Sequence, residues 1–436
     1  MGHYRTSLES AAQICHALKA LKKALSNPET MTLENSLKGT RIAVIGFNAR
    51  PIACSALRAG ASVYVSDYWG DDDLADCSTE FVSVLTPEPG LRQRADLDRP
   101  AHVSLVENFL SQYLEVDFDH VIVGSGFDDR SDVLAPIEEQ WGICGNSPEI
   151  MRRARNVKRV SELAEELKIR YPARRLVNSP ESAVKAAEKI GFPCVVRPIR
   201  SGGGSDIALV SSVDQTKHRY SRIAETRMSS SLVVQEYVHG IDVSCSVLSS
   251  GEKARFVSVQ GQLIGLPSAG RNCDFVYCGN YFPHNLSARL EKKVRDFSEA
   301  ISCELGLIGS NGLDFVVDKK EELWLLEINP RIQGSLEMIE RSMNVSLTKL
   351  HIDSTNGLLP KSLPSPKPAV KLVVFSRRAG KVAGLSRYRT TVDRTPDGTI
   401  VEKGDPVCTI LEDNQSLKEC YARAITTAVE IQRSLS

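Results

Sequence analysis

The sequence predicts an α/β domain built on a doubly wound parallel sheet, followed by a longer α+β region of short strands. Three observations carry this. RIAVIG at 41–46, SVYVSD at 62–67 and HVIV at 120–123 are β-branched runs, the first two separated by a helical stretch at 51–59, which is a βαβ pattern. From residue 193 onward, short β-rich runs alternate with Gly, Ser and Asp turns instead. A Pro- and Ser-rich break at 357–368 then separates a last small unit.

In chain order, residues 5–25 place Leu8, Ala11, Ala12, Cys15, Leu18, Leu21 and Leu25 at helical spacing, so an N-terminal helix occupies residues 1–38. Residues 39–147 form the Rossmann-like parallel-sheet domain. Helical patterns at 147–168 and 182–190, then strands at 193–198, 207–211, 232–237 and 243–248, belong to a second domain spanning 148–357. Residues 358–436 form a small C-terminal α+β domain. At 436 residues the chain exceeds one ordinary core.

Composition excludes several classes. Basic and acidic residues balance at 54 each, against a broad surface for nucleic acid or anionic lipid. No segment is apolar enough to cross a bilayer, and Glu9, Lys19, Lys22, Lys23 and Glu29 interrupt any secretory signal. The eleven cysteines show no CxxC spacing and read as reduced thiols of a cytoplasmic protein, with Cys273 and Cys278 either packed or available to a metal. Asp67 falls where a ribose-binding acid of a dinucleotide fold would stand, but no further glycine follows Gly46 before Pro51, which argues against NAD.

The chemistry concentrates in LDFVVDKKEELWLLEINPR at 313–331, two apolar strands joined by a polar turn. Asp314 and Glu327 interrupt those strands, and unpaired buried acids would be costly, so a cation should meet them. Glu327, Asn329 and Arg331 alternate at period two and share a face if the chain stays extended through Pro330. Oxygen donors from Asp314, Glu327 and Asn329 suit Mg²⁺, while Arg331 would hold an anion; the alternative is pairing of the acids with Lys319, Lys320 or Arg331. Upstream, VVRPIRSGGGSD at 195–206 is a strand carrying Arg197 and running into Gly202, Gly203 and Gly204, which either fold over phosphates or make an ordinary turn. LVVQEYVHG at 232–240 could frame a flat ring.

In this order, these elements resemble the ATP-grasp superfamily across roughly 40–436, most specifically between Asn156 and Arg331. The resemblance implies an ATP-grasp fold behind a pre-ATP-grasp domain, with ATP and Mg²⁺, or Mn²⁺, as cofactors. It implies that Lys158 and Arg197 contact phosphate, Arg197 standing where a lysine is usual, and that Gly202 to Gly204 form a lid. Glu236, Tyr237 and Val238 resemble the adenine hinge, Asp242 the ribose acid, Asp314, Glu327 and Asn329 the metal ligands, and Arg331 the residue facing an acyl phosphate.

EINPRIQGSLE is similar to the corresponding segment of biotin carboxylase, with Arg331 and Gln333 matching, but Gly334 and Ser335 stand where the carboxylase presents its glutamate base. Overall the chain resembles a largely archaeal group of ATP-grasp carboligases. The implied activity is an ADP-forming carboxylate–amine ligase, catalysed through Arg331 and Arg197, acting on a small-molecule carboxylate and an amine or, failing that, a thiol. A homodimer is compatible with it. A bicarbonate-using carboxylase and a non-catalytic nucleotide binder stay open. The turn-rich segment 261–283, with Arg271, either selects the substrate or is a surface excursion, and His284 and His351 read as structural.

Overall fold

The computed structural model describes residues 36–93, 99–200, 202–271 and 275–435. The expected N-terminal helix and Cys273 lie outside the described residues.

The first unit is a parallel sheet. Strands β1 (Arg41–Gly46), β2 (Ser62–Asp67), β3 (Glu80–Ser83) and β4 (His120–Val123) lie in the order β3-β2-β1-β4, with helix α1 (Arg50–Arg58) crossing from β1 to β2 and α2 (Ala101–Tyr113) from β3 to β4. Ile42, Val44, Val63 and Val65 pack toward α1, whereas Ala43, Ile45, Val121 and Val123 pack toward α2. Burial on both faces explains why these strands read as unbroken apolar runs. Loops leaving the carboxyl ends of β1, β2 and β4 therefore converge on one side.

Helices α3 (Ala135–Trp141), α4 (Pro148–Arg155) and α5 (Val157–Glu166) lead onward. Asn156 ends α4 and caps α5, its side-chain oxygen accepting the Arg159 amide at 3.1 Å. That corner fixes the direction of Arg155, the last residue of α4. Next come β5 (Arg174–Val177), α6 (Pro180–Ile190), β6 (Cys194–Pro198), β7 (Ala208–Val210), α7 (Val213–Thr226) and β8 (Leu232–Glu236), giving an antiparallel sheet in the order β5-β8-β6-β7.

The largest sheet contains β9 (Gly240–Ser250), β10 (Ala254–Ile264), β11 (Tyr277–Phe282), β12 (Ile308–Asp318) and β13 (Leu323–Asn329), with helix α8 (Ala288–Glu304) before β12. Helices α9 (Leu336–Met343) and α10 (Leu347–Thr355) follow β13; the chain ends with β14 (Ala369–Phe375), β15 (Gly380–Lys381), β16 (Thr391–Val392), β17 (Ile400–Val401), β18 (Pro406–Asp413) and α11 (Leu417–Ser434). In the order β13-β12-β9-β10-β11-β14-β18-β16, strands β14, β18 and β16 continue the large sheet, while β15 and β17 pair in a two-stranded sheet of their own.

One sequence expectation is corrected. Cys54 on α1 and Cys77 form a disulfide, because the segment after β2 brings the two Cα atoms to 4.4 Å. Cys144, Cys194, Cys245, Cys303, Cys408 and Cys420 are free thiols, most of them buried.

Candidate functional site

The site forms where β12 and β13 face the four-stranded sheet and the loops of the parallel sheet. Asp314 and Glu327 are direct partners across β12 and β13, and the register slips beside them between Asp314 and Phe315. Such a bulge re-aims neighbouring side chains. Asp314 accepts from Ser244 Oγ at 2.6 Å, Gln262 Nε2 at 3.2 Å and Asn329 Nδ2 at 2.9 Å. Burial, reinforced by the charge of Glu327, pushes its carboxyl up to about 6 despite those donors.

Glu327 meets Arg155 Nη1, a residue that sequence reasoning missed. Arg155 also donates Nε and Nη2 to the two oxygens of Asp129, each at 2.9 Å, in a bidentate pair. Burial opposes its charge, but Glu327, Asp129 and Asp128 raise its pKa further above the ordinary range. Asp128 and Asp129 belong to the loop after β4, so the first domain reaches directly into the site. The only sequence signal for Arg155 was its place just before the Asn156 helix cap.

Asn329 and Arg331 stay together although β13 ends at Asn329. A tight turn, Arg331 N–H to Asn329 O at 2.8 Å, changes the chain direction, yet Arg331 Nη2 still reaches Asn329 Oδ1 at 3.4 Å and Nε reaches Asp128 at 3.0 Å. Gln333 bridges Ser244 and Ser246, at 2.8 Å each. A side chain at Gly312 would collide with it, which explains that glycine.

The phosphate-side residues divide. Arg197 on β6 donates Nε to Gln235 at 3.2 Å; burial lowers its pKa, and Glu327 opposes that shift. Arg174 on β5 lies over the Tyr171 ring at 4.4 Å, and its Nε and Nη2 are buried without an acceptor. Lys158, by contrast, is 86% exposed on α5 with Nζ 3.9 Å from Glu162, so the structure does not bring it to the carboxylates. Gly203 and Gly204 have φ of +60° and +77°, and Gly203 O accepts the Tyr277 amide at 3.1 Å. The glycine loop thus rests on the start of β11, while a side chain added at Gly202 would meet nothing within 4 Å.

Glu236, Tyr237 and Val238 form the passage from the four-stranded to the eight-stranded sheet. Glu236 accepts the Ala173 amide at 3.0 Å, and Tyr237 stands edge-on to His239 at 4.4 Å. Asp242 lies near the start of β9, and burial raises its pKa. Arg271 Nη1 donates to Gly404 O at 3.0 Å and the guanidinium covers Phe375 at 5.2 Å, tying 261–271 to the C-terminal unit, while its Nε is buried without an acceptor. His284 Nδ1 accepts the Leu286 amide, and His351 is buried with both ring nitrogens bonded.

These donor sets fit the expected groups. Two unmet Arg174 donors beside Arg197 suit a polyphosphate, and two facing carboxylates with an amide oxygen suit a hard cation. Among the described residues no group of three His, Cys, Asp or Glu forms a metal site by itself, so such a cation would need further oxygen ligands from a phosphate or water.

Comparisons with known proteins agree with this geometry. Residues 160–335 match the ATP-grasp domain model. An uncharacterized protein of Methanocaldococcus jannaschii is 24% identical over 370 residues, covering 84% of this chain and 87% of that protein. The carbamoyl phosphate synthase large chain of Pseudomonas syringae is 24% identical over 231 residues, covering 52% of this chain but 21% of the synthase. Biotin carboxylase from Campylobacter jejuni superposes with a TM-score of 0.69 at 13% identity, covering 91% of this chain and 95% of that one. N5-carboxyaminoimidazole synthetase from Staphylococcus aureus gives 0.62 at 18% identity, covering 91% and 99%. These likenesses show a shared fold of parallel and antiparallel sheets.

Proposed function

Because this chain carries an ATP-grasp domain, we propose that it is an ADP-forming ligase that activates a substrate carboxylate as an acyl phosphate for capture by an amine. The observation that carries this reading is the Asp314–Glu327 pair standing opposite Arg197 and the unmet donors of Arg174. Carboxylates and guanidinium groups arranged this way bind a metal–triphosphate.

Asp314, Glu327 and Asn329 would hold Mg²⁺, which when bound supplies charge neutralisation on the phosphates. Arg197 and Arg174 hold phosphate oxygens and oppose the charge that develops during transfer. Arg331, held by Asp128 and Asn329, orients the substrate carboxylate beside the transferring group. The loop around Gly203 and Gly204 keeps water from the activated acyl group. Glu236 to Val238 frame the base, and Asp242 the ribose.

The alternative, carboxylation by bicarbonate, is not favoured by the segment that follows Arg331. The first carboxylate after it is Glu337, whose oxygens are engaged by Arg50 at 3.1 and 2.5 Å. Purified protein given ATP, Mg²⁺ and pooled carboxylates and amines should release ADP only when both pools are present. ADP release that requires labelled bicarbonate and fixes the label would overturn the ligase reading in favour of the carboxylase; binding of ATP with no turnover under any pool would leave a nucleotide sensor.

A further inference from the structure

The disulfide between Cys54 and Cys77 joins two elements that both carry buried charge at the edge of the first domain. Cys54 lies on α1, one turn after Arg50, and Cys77 ends the short 3-10 helix Asp72–Cys77, which also carries Asp73. Arg50 and Asp73 are buried. Arg50 Nη1 donates to Cys54 Sγ at 3.3 Å, and the same guanidinium meets Glu337 at 2.5 Å, Asp393 at 2.6 Å and Asp73 at 3.5 Å. One sulfur of the bridge therefore shares Arg50 with three carboxylates.

Those carboxylates stand on different segments. Glu337 lies in the first turn of α9, directly after the segment that carries Arg331 and Gln333. Helix α1 grips α9 a second time through Glu340, which accepts from Ser55 Oγ and Arg58 Nη2 at 2.5 Å each. The 3-10 helix grips the C-terminal strands instead. Asp73 accepts the amides of Asp393 and Arg394 at 3.2 and 2.8 Å, and the Asp72 amide donates to Arg394 O at 2.7 Å. The disulfide ties one grip to the other.

A dithiol reductant opens this bridge in two balanced steps. Cys77 is 6% exposed and follows Asp76, whose side chain is 81% exposed, so a small thiol approaches from that side. One thiolate of the dithiol attacks Cys77 Sγ, the S–S bond breaks, and Cys54 leaves as a thiolate that takes a proton. The second thiolate then displaces Cys77, which takes the other proton, and the reductant departs as its own cyclic disulfide, having given up two electrons. The bridge holds the two Cα atoms at 4.4 Å, the short end of the range a disulfide spans. Unbonded sulfurs separate to van der Waals distance, so the 3-10 helix moves off α1 and carries Asp73 away from Arg50.

We infer that Cys54 and Cys77 form a redox switch that sets how the first domain grips α9 and the 391–395 segment. Oxidised, the bridge holds Arg50 among Glu337, Asp393 and Asp73 at once. Reduced, it frees the Asp73 arm, and Arg50 re-pairs with the acids that remain. The path from sulfur to site is short: Cys54 Sγ to Arg50, Arg50 to Glu337, and Glu337 to the Arg331–Gln333 segment just before α9. The oxidised form is therefore the one in which Arg331 and Gln333 are held in place. The switch itself does not depend on the ligase reading.

The test is hydrogen exchange read by mass spectrometry on the full chain, first treated with oxidised glutathione and then reduced with dithiothreitol without denaturant. Peptide mapping should find Cys54 and Cys77 cross-linked in the first state and free in the second. Reduction should speed exchange about tenfold in 336–343 and 391–395 and leave 288–304, on α8, unchanged. Cys77→Ser should exchange like reduced wild type and ignore dithiothreitol; should that variant not fold, the two states of wild type decide alone. No cross-link after oxidation, a bridge that opens only in denaturant, or unchanged exchange in the two segments would each overturn the inference. An equal rise in 288–304 would also overturn it, since a bridge that only stabilises the whole fold gives that result. Where pooled carboxylates and amines yield ADP, reduction should slow the rate about tenfold, and an equal rate in both states would overturn the link to the site. No ADP in either state would sink the ligase reading instead, and the exchange result then judges the switch by itself.

Discussion

Asp314 and Glu327 stand opposite each other on adjacent strands, yet only Glu327 has a guanidinium partner while Asp314 relies on Ser244, Gln262 and Asn329. Burial first, and then the repulsion of Glu327, raise the pKa of Asp314. A divalent cation between them would relieve that repulsion. Glu327→Gln should therefore lower Mg²⁺-dependent ADP formation by about 10²-fold, the equivalent of about 3 kcal/mol of lost charge stabilisation, while the variant stays folded by circular dichroism. Full activity would remove Glu327 from the metal set.

Arg155→Ala is expected to act on stability. Arg155 joins Asp129 of the first domain to Glu327 of β13, and its loss leaves both carboxylates facing one another across the interface. The expected cost is about 3 kcal/mol by urea unfolding. Added Mg²⁺ should raise the melting temperature of this variant more than that of wild type, because the ion replaces a missing positive charge.

The glycine loop gives a paired test. A methyl group at Gly204 would lie 1.7 Å from Phe275 O at a φ of +77°, whereas one at Gly202 meets nothing within 4 Å. Gly204→Ala should prevent the loop from seating on β11 and lower turnover strongly. Gly202→Ala should leave steady-state rates near those of wild type.

His351 sets an acid limit on stability. Its Nδ1 accepts the Ser310 amide and Nε2 bonds Cys144 O, each at 2.8 Å, so the neutral ring is satisfied and a second proton has no acceptor. Burial brings its pKa down to about 4, below the unfolded value of 6.5. The unfolded chain then binds more protons, so this contribution is complete above about pH 6.5 and is lost as pH falls toward 4. It amounts to about 3 kcal/mol. Urea unfolding across that window should show the slope, and His351→Gln should flatten it.

The hairpin acids and the strands around them were legible because their signals are local: alternation, a polar turn, and charged residues inside apolar runs. Asp314, Glu327, Asn329 and Arg331 lie together, Arg331 by a tight turn after Asn329 and not by the extended run the alternation assumed. Lys158 did not join them, because its place on α5 points it to solvent beside Glu162, one turn past the corner that carries Arg155 inward. Helical periodicity identifies the faces of a helix but not which face a remote domain will cover. The contact of Arg271 with Gly404, 133 residues away, was likewise invisible to local pattern.

By itself the sequence determined the kinds of layers, the βαβ unit, and the carboxylate-bearing hairpin, since each depends on the order of neighbouring residues and on period two or 3.6. Tertiary structure alone decided that Asp128 and Asp129 enter the site and that Arg50 gathers acids from three parts of the chain. Charge pairing acts through space, and a chain read residue by residue carries no record of which distant groups the packed domains will bring within a few ångströms.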